Sequence, residues 1–139
     1  MNSEYIRKPF DQVMHDACDP PARDAVIKVI EREWGFSAKP YDKYKVDLVI
    51  DGIGYAEVEM RNWDDCPFDT IHIPERKTKL FKNDMKTIYF VVSKSLSKCW
   101  YCDTDIILKS PLKEIKNKDV SQGEYFYDVP KYLFETVKI

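Results

Sequence analysis

No apolar run in this chain approaches the roughly 20 residues that a membrane-spanning helix needs. The opening stretch MNSEYIRKPF also lacks the apolar core of a secretory signal. The expectation is a cytoplasmic protein with no membrane partner. Repeats, low-complexity tracts and linkers are missing too, so the 139 residues, 44% hydrophobic and 33% charged, read as a single domain over 1–139. There is no excess of positive charge. A net charge of −2 gives no overall field that would gather polyanions, which weakens the case for nonspecific nucleic-acid binding. Lys and Arg are nevertheless bunched over residues 76–82 and 109–118, where a local patch can still meet phosphates. Cysteines number only four. Cys99 and Cys102 have C-x-x-C spacing and His15 with Cys18 supplies a second pair, so a structural zinc site can be drawn. On a strand, however, that spacing sends the two thiols to opposite faces, and reduced, buried thiols are the favoured reading.

Against these absences one stretch stands out, VDLVIDGIGYAEVEMR at residues 46–61. Val46, Leu48 and Ile50 alternate along a first run, and Tyr55, Glu57, Glu59 and Arg61 share one face of a second. Asp51-Gly52-Ile53-Gly54 between them is turn chemistry, so a β-hairpin is expected. The hairpin carries Asp47 at its start and the pair Glu57-Val58-Glu59 in its second arm. Converging carboxylates make a hard-oxygen site of the kind Mg²⁺ prefers. Whether they converge depends on the turn. A two-residue turn at Asp51-Gly52 pairs Val46 with Glu57 and sends Asp47 to the other face, whereas a three-residue loop, Asp51-Gly52-Ile53, or a bulge brings Asp47 beside Glu57. The ordinary alternative is that Glu57, Glu59 and Arg61 are only the solvated face of an antiparallel hairpin.

An Asp after a short apolar strand start, about ten residues of hairpin, and then Glu-x-Lys in the next strand, with a helix before and after, is the signature of the PD-(D/E)XK nuclease superfamily. Residues 20–93 resemble it. Asp47 matches the first acid and Glu57 the second, while Val46 stands where Pro is common and Glu59 where most members carry Lys, as in the Glu-x-Glu subset. The resemblance implies an α/β fold: a three-layer-like sandwich with a central mixed β-sheet flanked by helices, its restriction endonuclease-like core over about 20–110. It also implies Mg²⁺, with Mn²⁺ as substitute, held by Asp47, Glu57 and the Val58 carbonyl, and DNA as substrate, branched or single-stranded forms included. Glu59 would serve as base or second metal ligand, unless a basic residue has migrated in from elsewhere, with Lys77 the first choice. The helix before the hairpin often lends an acid, for which Glu33 is the candidate and Asp24 the reserve. Many members act as dimers, which admits a homodimer, although no self-association surface is legible. The family includes phage exonucleases, so phage origin and a host-cytoplasm location are one reading.

The remaining segments are read from local pattern. Phe10, Val13, Met14 and Ala17 suggest a short first helix, and Asp19-Pro20-Pro21 a restart. Ala22, Val26, Val29, Ile30 and Glu33 then fall on one arc of a helix ending at Gly35. Residues 36–45 read as a connector, and the acids Asp64, Asp65 and Asp69 as solvated loop groups whose spacing fits no EF-hand. Thr70 to Ile73 alternate as a short strand, and Pro74 opens a helix to about Phe81, with Leu80 and Phe81 inward. His72 reads as an ordinary strand histidine. Residues 86–93 form the buried central strand, 96–102 a further strand, and Asp103 caps a short helix ended by Pro111. Tyr125-Phe126-Tyr127 suggests an edge strand, with a turn at Pro130 before a last amphipathic piece. Trp63, Trp100 and Tyr101 suit core or rim packing better than base stacking.

Two functions from different classes follow. One is a metal-dependent nuclease cutting phosphodiester bonds of DNA; the other is a catalytically degenerate nuclease fold acting as a nucleic-acid-binding or assembly module, which the missing Lys and the mild acidity favour.

Overall fold

The computed structural model describes the backbone of residues 12–41, 46–117 and 120–139, and side chains over 20–41, 46–115 and 124–139. Phe10 and the side chains of Val13, Met14, His15, Ala17 and Cys18 lie outside them, and with them the second half of the zinc reading.

A long helix, α1 (Gln12–Trp34), comes first, with Pro20 and Pro21 inside it. The expected restart at the prolines is not a break. Proline's fixed φ is helical, so two N–H donors are lost and the helical path is kept. Ala22, Val26, Val29 and Ile30 are buried along one stripe. Gly35, at φ 73°, stops the helix, its N–H reaching Glu31 O at 3.0 Å.

The stripe lies on a six-stranded mixed sheet in the order β1 (Ala38–Pro40), β2 (Leu48–Ile50), β3 (Gly54–Met60), β5 (Lys86–Val92), β6 (Lys98–Asp103), β9 (Glu135–Lys138). All neighbours are antiparallel except β3 and β5. A parallel pair requires a crossover. Here it carries β4 (Thr70–Pro74), a 3₁₀ turn (Glu75–Lys77) and α2 (Thr78–Phe81). β4 joins β8 (Val120–Pro130) and β7 (Leu112–Asn117) in a second sheet, ordered β4-β8-β7. The architecture is therefore α/β, with a mixed sheet, a second smaller sheet and few helices.

Side-chain alternation divides the core in two. Leu48, Ile50, Ala56, Val58, Phe90, Val92 and Cys99 face α1. Tyr89, Val91, Trp100 and Cys102 face the other way, onto Ile71 and Ile73 of β4, Phe81 of α2, Tyr127 and Val129 of β8, and Ile107 of α3 (Thr104–Leu108). Helices were expected on both faces. The second face is covered mainly by the small sheet instead, because the tail segment with Tyr127 and Val129 is long enough to pair with β4 on one side and β7 on the other. The aromatic tail strand is thus central to its sheet, and the supposed connector contributes the edge strand β1. Asp103 caps α3 as read, accepting from Asp105 N–H at 2.9 Å. Cys99 and Cys102 lie on opposite faces, free and buried. Burial pushes their thiols up to about 12 and about 11, so neither is a nucleophile at neutral pH.

Candidate functional site

The hairpin turn decides the site. Ile50 pairs with Gly54 and Leu48 with Ala56, so the loop is the three-residue one, Asp51-Gly52-Ile53. Continuing that register sets Asp47 opposite Glu57, on the face turned away from α1. Pairing of β2 with β3 stops at Leu48, and the next N–H on β3 facing β2, that of Val58, is taken by the Asp47 side chain at 2.8 Å. N–H and C=O of one strand residue point the same way, so the Val58 carbonyl faces this same gap. Arg23 of α1 closes it from the other side, its guanidinium 4.0 Å from Asp47 Oδ1.

Glu57 is buried, 4% exposed, and its Oε2 has no donor to accept from. The crossover lays the 3₁₀ turn over this face and brings Lys77 Nζ to 3.9 Å from Glu57 Oε1. Burial above all, then the hydrogen bond and charge of Asp47, push the Glu57 carboxyl up to about 9, against the pull of the Lys77 ammonium. At neutral pH Glu57 is therefore held in its protonated form beside Asp47.

Glu59 points to the same face but is engaged elsewhere. The Tyr89 hydroxyl donates to its Oε2 at 2.7 Å and Arg61 forms an ion pair with Oε1. Tyr89 is fully buried and its hydroxyl is pushed well above its ordinary range, so it remains a donor. Of the residues read from sequence, then, Asp47, Glu57, the Val58 backbone and Lys77 come together, with Glu59 two residues further along.

Glu33 does not join them. It is exposed at the last turn of α1, paired with its neighbour Arg32 at 2.8 Å, and Arg32 in turn reaches the Lys138 carbonyl of β9, the far edge of the sheet. Its place on the apolar arc misled because over the last turn it is Trp34, packed on Phe90 and Tyr101, that continues the inward stripe, and Glu33 is turned to solvent. Asp24 is exposed as well, and the helix offers Arg23 to Asp47 instead of an acid. Spacing gave no signal for Arg23 or Tyr89, since their partners Asp47 and Glu59 are distant in the chain.

The other candidates have structural roles. Trp100 is buried against Trp63 at 5.1 Å, and Tyr101 packs edge-on to Trp34 at 5.1 Å. His72 pairs with Asp128 across β4 and β8 at 3.0 Å, away from Glu57. Asp128 is held below the usual carboxylate range, chiefly by Lys113. Asp64 accepts from Ser95 N–H and Asp65 pairs with Lys98, as loop acids do. Among the described residues no three His, Cys, Asp or Glu side chains gather as a ready metal cluster, and no helix is long and apolar enough to cross a membrane. Searches of family models, curated proteins and solved structures return no match to the chain.

Proposed function

We propose that the chain is a divalent-metal-dependent nuclease of PD-(D/E)XK type, with a restriction endonuclease-like core, hydrolysing phosphodiester bonds of DNA. The observation that carries the reading is the three-residue hairpin loop, which sets Asp47 beside Glu57 with the Lys77 ammonium 3.9 Å from Glu57. Two adjoining acids, one held protonated chiefly by burial and with a buried oxygen lacking a partner, suit a dication in the proton's place. Asp47, Glu57 and the Val58 carbonyl would hold Mg²⁺, with Mn²⁺ able to substitute. Bound there, the ion supplies polarisation of the phosphate and a lowered pKa for the attacking water. Lys77 fills the basic position left vacant at residue 59 and supplies positive charge to the phosphate oxygens. Lys79 and Lys82, exposed on the same crossover, extend that charge along a bound strand. Glu59, held by Tyr89 and Arg61, orients that end of the site.

Purified protein with Mg²⁺ or Mn²⁺ is expected to cut linear duplex, branched or single-stranded DNA. Glu57→Ala should lower the rate by more than about 100-fold, beyond the loss typical of outer-shell partners of a metal. Unchanged cutting in that variant would refute the assignment. The engagement of Glu59 favours one second reading, a degenerate module that binds nucleic acid without cutting it. That reading is supported if no substrate is cleaved and DNA binding is independent of metal.

A further inference from the structure

Beyond Glu59 the same sheet face runs into a cavity of about 140 Å³, lined by Arg61, Trp63, Phe68, Thr70, Ile71 and His72. It opens at the carboxyl end of β3, the parallel strand that carries Glu57, where ligands of α/β sheets characteristically bind. A volume of this order accommodates a single aromatic ring. The walls match such a guest. Trp63 is half-buried and propped edge-on by Trp100, so its ring is held in place. Phe68 stands at the mouth 60% exposed, a large apolar side chain that the fold leaves in solvent. The Arg61 guanidinium is fixed from two sides, its Nε paired with the Glu59 carboxylate and its Nη2 donating to the His72 carbonyl. A small cavity walled by two aromatic side chains, with a fixed guanidinium on one side to stack or carry positive charge, is the chemistry that recognises a nucleobase.

Resting on the nuclease reading, we propose that this cavity receives one unpaired base of the strand whose phosphate lies at Asp47 and Glu57, so that the preferred substrate is single-stranded DNA or an unpaired end. Arg61 lies four residue steps beyond Glu57, roughly 13 Å at about 3.3 Å per residue. Stacked nucleotides rise about 3.4 Å each, so a few nucleotides of extended strand bridge the two positions. A base locked in a duplex cannot enter a pocket of this size.

The test is fluorescence anisotropy with a labelled ten-nucleotide oligothymidylate and with a blunt duplex of the same length, both in EDTA so that nothing is cut. Phe68→Ala is the informative variant, because Phe68 is exposed and its removal leaves the core intact. The expected result is single-strand affinity reduced by roughly 5- to 150-fold, the range for loss of one stacked base, with duplex affinity unchanged and Phe68→Trp close to the parent. Equal affinity of Phe68→Ala and parent for the oligothymidylate, or equal losses for both DNAs, would overturn the pocket. Its failure is separable from that of the nuclease reading: cleavage that requires Glu57 but ignores Phe68 sinks the pocket alone, whereas Phe68-dependent binding without any cleavage sinks the catalytic site alone.

Discussion

Glu57→Gln is expected to stabilise the metal-free protein at pH 7 by about 3 kcal/mol, an increase of roughly 10 °C in Tm, while abolishing the proposed DNA cleavage. The sign follows from the raised carboxyl. Unfolded, Glu57 releases its proton at the ordinary value of 4.5; folded, it holds the proton to about 9. Below pH 4.5 both states are protonated and the residue is neutral in its effect. Between 4.5 and 9 the unfolded chain alone ionises, so stability falls as pH rises, by about 1.4 kcal/mol per unit, and the deficit is complete above 9. Gln keeps an N–H to donate to Asp47 and has nothing to ionise. The two proteins should therefore unfold alike at pH 4 and diverge progressively towards pH 8. Saturating Mn²⁺ should cancel the advantage, stabilising the parent by about 3 kcal/mol at a hundred times its Kd and leaving the variant unmoved. Thermal unfolding over that pH range, with and without the ion, measures both effects. Parallel pH profiles would mean that Glu57 is not held protonated.

Gly54→Ala should be the most damaging small substitution outside the core, costing about 3–5 kcal/mol from overpacking and backbone strain combined. Gly54 sits at φ 148°, and a Cβ there would lie 2.0 Å from the Lys86 carbonyl oxygen of β5. That neighbour is backbone, so the strands themselves must part, and with them the register that aligns Glu57 with Tyr89. Gly52, two residues earlier at φ 77°, has nothing within 4 Å of the same added atom. Gly52→Ala should cost only about 1 kcal/mol, the backbone penalty alone. Urea unfolding of the pair separates the two causes. Similar midpoints would show that β3 and β5 do not approach this closely at Gly54.

The contrast between these glycines marks how far the chain could be read from its residues. Local alternation located the hairpin, the buried stripe Ala22, Val26, Val29 and Ile30, the Asp103 cap and the opposed cysteines, because each is settled within a few residues. Asp47 and Glu57 could be named from spacing, but their convergence turned on one loop residue, Ile53, whose inclusion shifts the parity of the first strand relative to the second. Lys77 could be proposed because a helix beside Glu-x-Lys is part of the resemblance, and its ammonium does lie next to Glu57. What long-range pairing decides was not legible. The tail strand became the centre of a second sheet and displaced the expected helix layer. Glu33 kept helical spacing yet ended in solvent at the β9 edge. Arg23, Tyr89 and the cavity beside Arg61 emerge only when segments 11 to 30 residues apart in sequence meet.

That Asp47 and Glu57 jointly hold one divalent cation is tested most directly by calorimetric titration of Mn²⁺ into the metal-free protein at pH 7.5, repeated in two buffers of different ionisation enthalpy. The expected result is one saturable site per chain, with about one proton released per ion as Glu57 gives up the proton it holds, and no saturable binding in Asp47→Asn or Glu57→Gln. Absence of a saturable site in the parent protein, or undiminished affinity in either variant, would contradict it.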